Sequence, residues 1–131
     1  MAPRIGTPPD AEVLEALALD VFARIPEPFA AHLAGVLVRV EDFADEETLA
    51  ALGIEDAWEL TGLYHGRPFG EEWQTGDLPS AITLYRQPLL AEWVETGVGL
   101  EELVAHVVIH EVGHHFGLTD AQMDALEAAT G

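Results

Sequence analysis

This chain of 131 residues predicts an α+β fold with one small mixed sheet. Three observations lead there. Segments with apolar residues at helical spacing surround three short β-branched or alternating segments. Their order is helix, strand, helix, strand, strand, helix, helix, helix, which is neither a regular βαβ alternation nor an all-β pattern. The length, with 49% apolar residues, suits a single core that needs no covalent staples.

The proline-rich start, residues 1–9, reads as a flexible arm, leaving 10–131 as one domain. Asp10 caps a helix running to Arg24, with Val13, Leu14, Leu17, Val21 and Phe22 as its apolar stripe. Pro26 and Pro28 stop it, and a short helical turn follows around Phe29 to Leu33. Gly35 to Phe43 is a strand with charges at alternate positions from Arg39. Asp45 to Leu52 is a short acidic helix ended by Gly53. Leu60 to Gly66 is a second strand, Glu71 to Pro79 a loop, and Ala81 to Arg86 a third strand. That third strand is a candidate edge on which an extended peptide could pair. Pro88 to Glu95 is helical, since proline is tolerated in a first turn. Leu100 to Phe116 is the strongest helix, apolar around most of its circumference and therefore central. Gly117 ends it. Thr119 begins a last helix to about Ala129, with Gln122 completing a capping box.

Charge and composition exclude several functions. There are 24 acidic residues against five arginines and no lysine, a net charge of −19. Nucleic acids and anionic membranes need a basic footprint, so neither is expected as a partner. A peptide or protein partner of basic or neutral character fits this field. No cysteine is present, so a metal site must use histidine and carboxylate. No apolar run reaches the roughly 18 residues of a membrane span, and the start lacks the apolar core of a signal peptide. With no disulfides either, the expectation is a cytoplasmic protein.

The chemistry concentrates in His110-Glu111-Val112-Gly113-His114-His115-Phe116-Gly117-Leu118-Thr119-Asp120. Histidines four apart lie one turn apart on one helix face and can share one zinc ion. Glu111 is about 100° round from His110, so it does not ligate with them. It can act instead as general base toward a water in an open position of the metal. Gly117 can turn the chain sharply and bring Asp120 back, making His110, His114 and Asp120 three ligands. Asp120 also has a plainer role, as a carboxylate in the first turn of a helix. A bare H-E-x-x-H arises by chance in roughly one chain in a few hundred of this length, and the added Gly and Asp cut that by another factor of a few hundred.

At these residues the chain resembles the zincin metallopeptidases with the pattern H-E-x-x-H-x-x-G-x-x-D. It is most similar to the small bacterial zincin-like family first catalogued as a domain of unknown function. The resemblance implies one zinc ion on His110, His114 and Asp120, with Glu111 as catalytic base and acid. It also implies a minimal zincin-like fold with the motif helix packed under a sheet of about three strands. Met123, three residues after Asp120 in a helix, does not match the methionine turn of the metzincin branch.

Other residues are candidates for contact with the metal shell or substrate. His106 lies one turn before His110 on nearly the same face. His115 falls near 140° on the helical wheel, on the core side, and reads first as a structural histidine. Tyr64, His65, Tyr85, Arg86 and His106 are the candidates for stabilising an oxyanion. The first functional expectation is a zinc-dependent peptidase. A second is a zincin-derived binding or regulatory module, suggested by the few residues after Asp120. A third is a structural metal site, which requires four protein ligands.

Overall fold

The computed structural model describes residues 8–66 and 79–130. The expected loop from Glu71 and most of the N-terminal arm lie outside these residues. Within them, five helices and a three-stranded mixed sheet form the α+β architecture.

Helix α1 (Ala11–Arg24) starts where the Asp10 side chain accepts a hydrogen bond from the Val13 amide at 2.9 Å. Its buried face is Leu14, Ala18 and Val21, spaced i, i+4, i+7, with Ile25 continuing the line. Val13, expected in the stripe, is 44% exposed. The small Ala18 is buried in the core instead, on the face that carries Leu14 and Val21. The turn near Phe29 is a single 3-10 turn, Ala30–His32.

Strand β1 (Leu37–Glu41) alternates between an exposed and a half-buried face, with Val38 and Val40 packed against the core. Helix α2 (Glu46–Leu52) follows, capped by Asp45, which accepts from the Thr48 amide at 2.7 Å. Hydrogen bonds from Thr48 hold the Asp45 carboxyl below its ordinary value. A 3-10 turn at Ala57–Glu59, capped by Asp56, has no counterpart in the sequence reading. It is a local side-chain-to-backbone turn without apolar periodicity. Strand β2 (Gly62–His65) is shorter than expected at both ends.

Strand β3 (Ala81–Tyr85) overturns the expectation that it forms a peptide-pairing edge. The strand order is β1-β3-β2, with β3 parallel to β1 and antiparallel to β2. All five of its residues are buried, as a strand covered on both faces requires. The edges are β1 and β2. Arg86, expected at the end of this strand, is instead the first residue of α3 (Arg86–Thr96). Its Nε donates to the Pro9 carbonyl at 2.8 Å and its Nη1 to Asp42 at 3.5 Å, which ties the start of the described chain to the sheet.

Helix α4 (Leu100–Phe116) is the central element and matches its expected bounds. Val104, Val108, Ile109 and Val112 are fully buried, packed with Leu14 of α1 and with Ile82 and Leu84 from the inner face of β3. Helix α5 (Asp120–Thr130) folds back along α4, anchored by Met123 and Leu126. Among the described residues, no helix is long and apolar enough to cross a membrane.

Candidate metal centre

The open side of α4 carries a line of three histidines. His106 and His114 are exposed and His110 is half-buried between them. The spacing of four residues aligns them, because i and i+4 stack along one helix face. The His106 and His110 rings approach to 4.2 Å between centroids, tilted by 47°. Glu111 lies one residue round the helix, toward β2, and only 6% of its surface is exposed. Its Oε1 nevertheless reaches the open face, 2.8 Å from Nδ1 of His114. A carboxylate that holds Nδ1–H leaves Nε2 as the lone-pair nitrogen, the form in which imidazole ligates metals.

Strand β2 fixes the depth of Glu111. A Cβ placed on Gly62 would lie 2.6 Å from Val107 Cγ1 and 3.6 Å from Glu111 Cγ. Only glycine lets this edge strand sit so close to the motif helix. Gly62→Ala is therefore expected to lower stability by about 1–3 kcal/mol through overpacking. An unshifted denaturation midpoint in the alanine variant would show that the strand does not press on the helix in this way.

The turn after α4 forms as the glycine at 117 predicts. Gly117 has φ 68°, in the left-handed region, and its amide turns back onto the His114 carbonyl. The Leu118 amide donates to the Gly113 carbonyl at 2.9 Å, completing the helix end. Thr119 then caps α5: Gln122 N donates to Thr119 Oγ1 at 3.2 Å, and Thr119 N donates to Gln122 Oε1 at 2.8 Å. With Thr119 as the cap, the exposed Asp120 carboxylate at the first residue of α5 is left for other work. A second glycine sets the distance between the helices. A Cβ on Gly113 would fall 2.2 Å from Met123 Sδ. Met123 is thus a packing residue of α5 against the motif helix.

Among the described residues, no three histidine or carboxylate groups converge closely enough to hold a metal ion. The donor set itself fits zinc: two imidazoles one turn apart and a carboxylate just past the glycine turn, with no thiolate available. His110, His114 and Asp120 are the residues that would hold it.

The remaining candidates separate by their surroundings. His115 is 8% exposed and lies on the core side, as the helical wheel predicts. Burial, and then the charge of His32, push its pKa below the ordinary value, which favours the neutral ring. Its Nδ1 lies 2.5 Å from the Tyr64 hydroxyl, which also reaches Ser80 Oγ at 3.2 Å. Tyr85 is 2% exposed, and its phenol is pushed up to about 12, chiefly by burial and then by the charges of Glu41, Asp45 and Glu111. It stays a protonated donor within the electrostatic reach of Glu111. His65 ends β2, exposed, beside α2. His106 Nδ1 pairs with Glu127 Oε1 at 3.0 Å. The sequence reading missed Glu127 and Gly62. Glu127 was within reach, because it lies seven residues after Asp120 and so on the same face of α5.

The family model of zincin-like metallopeptidases matches the chain over residues 33–130. The protein belongs to the zincin-like metallopeptidase family. The match takes in the sheet, the motif helix and all of α5. It begins after α1, although α1 supplies Leu14, Ala18 and Val21 to the core of this zincin-like protein. No curated protein matches the chain.

Proposed function

We propose that this zincin-like protein is a zinc-dependent peptidase, with His110, His114 and Asp120 as ligands of one zinc ion and Glu111 as catalytic base. The observation that carries the reading is the placement of Glu111. A carboxylate rooted in the core against Gly62 reaches out to His114, on the same helix face as His110. When bound there, zinc supplies Lewis-acid chemistry, polarising the scissile carbonyl and making water acidic enough to ionise near neutral pH. Glu111 takes the proton of the attacking water and passes it to the leaving amine. Its buried seat beside Gly62 and its hydrogen bond with His114 orient the carboxylate for both transfers. Tyr85, held protonated, is a hydrogen-bond donor near the carboxylate.

The substrate backbone would pair with β2. Among the described residues β2 pairs only with β3, and it runs directly beside Glu111. An extended peptide added there gains main-chain hydrogen bonds in register with the catalytic carboxylate.

The test is zinc analysis of the purified protein together with cleavage of a mixed peptide library followed by mass spectrometry. One zinc per chain and cut peptides are expected. A full equivalent of zinc with no cleavage across the library would overturn the peptidase reading in favour of a binding or regulatory module.

A further inference from the structure

A hollow of about 490 Å³ opens between the C-terminal part of α1 and helices α3, α4 and α5. This is within the size range of small-ligand sites. Its floor is apolar, built from Leu103 and Ile109 of α4, with Val98 at the rim, 40% exposed. Its walls carry the carboxylates Glu92, Glu102 and Glu127. The one arginine in the wall, Arg24, is already satisfied: Nη2 lies 3.3 Å from Asp20, and Nη1 donates to the Thr130 carbonyl at 3.1 Å. The hollow therefore presents an apolar base under a net negative rim.

His106 joins this hollow to the candidate metal centre. It lines the wall, and its ring lies against His110. Four residues along a helix rise about 6 Å. An extended peptide covers that distance in about two residues at roughly 3.3 Å each. A side chain in the hollow would thus sit about one helical turn from His110 of the candidate metal centre.

We propose that this hollow is a specificity subsite for a basic residue of the peptide substrate, arginine or lysine. The aliphatic stem of such a side chain lies along Leu103 and Ile109, and its cationic head reaches Glu92 and Glu102 at the rim. Charge complementarity selects this occupant: Glu127 is already paired with His106, so an acidic side chain would meet the carboxylates of Glu92 and Glu102, and a purely apolar one would leave those two unanswered. The proposal rests on the peptidase reading for its register, but its binding test does not need turnover.

The experiment uses the full chain with Glu111→Gln, so that ligands stay intact, and isothermal calorimetry. Two blocked pentapeptides of alanine differ only at the third residue, arginine in one and norleucine in the other. The arginine peptide is expected to bind at least about tenfold more tightly. Adding Glu92→Gln and Glu102→Gln is expected to erase that preference, whereas Glu12→Gln with Glu15→Gln on exposed α1 is expected to leave it intact. Equal binding of the two peptides, binding of neither, or equal loss in both double variants would overturn the subsite. The last outcome would assign the preference to the overall charge of −19. Cleavage by the wild type without an arginine preference would overturn the subsite alone. An arginine preference in binding with no cleavage by the wild type would support the subsite and remove the peptidase reading.

Discussion

Glu111→Gln is expected to cut peptide hydrolysis about 10²–10⁴-fold, the usual contribution of a positioned acid–base group, while zinc remains bound. The reason lies in what each variant keeps. Glutamine preserves the shape that packs beside Gly62, and its carbonyl still accepts from His114 Nδ1. What it loses is the ability to take a proton. Alanine would also stop the reaction, but it would leave a hole in a site that is 94% covered and free the His114 ring from its partner. Parallel measurement of cleavage rate and zinc content separates the two effects. Hydrolysis within tenfold of wild type would rule out Glu111 as the base. Loss of zinc in the glutamine variant would show that the carboxylate acts mainly by holding His114 in place.

The local features of this site were legible in the sequence because their causes are local. The bounds of α4, the left-handed Gly117 and the Thr119–Gln122 capping box each depend on residues within one or two turns. So does the position of His115, since a 100° step per residue carries it to the core side whatever packs there. Features that depend on distant partners were not legible. Nothing within Ala81–Tyr85 says that two other strands flank it, so a central strand read as an edge. Ala18 is buried because another helix crosses α1 there, and its own short side chain gives no sign of it. Gly62 shows the same limit: a glycine in a strand signals a close approach, but only the fold shows that the approaching group is the motif helix.

Asp120 has one role as a helix residue and a proposed one as a metal ligand, and they predict different losses. As the first residue of α5, its carboxylate interacts favourably with the positive end of the helix dipole. That interaction is worth about 0.3–1 kcal/mol at an exposed site and has no bearing on metal. As a ligand, it would supply the charge that two neutral imidazoles lack. Asp120→Ala is expected to weaken zinc binding by more than about 100-fold, beyond the 10–100-fold that loss of a ligand's outer partner costs. Competition with a chelator of known affinity reads this directly, and a denaturation midpoint on the zinc-free protein reads the dipole contribution separately. Asp124→Ala is the matched control, because it removes an exposed carboxylate one turn further along α5. Equal, small changes in zinc affinity for the two variants would leave Asp120 a helix residue only. The capping geometry argues for the ligand role. Thr119 and Gln122 already satisfy the helix end, which leaves the exposed Asp120 carboxylate, three residues past the left-handed Gly117, without a capping task.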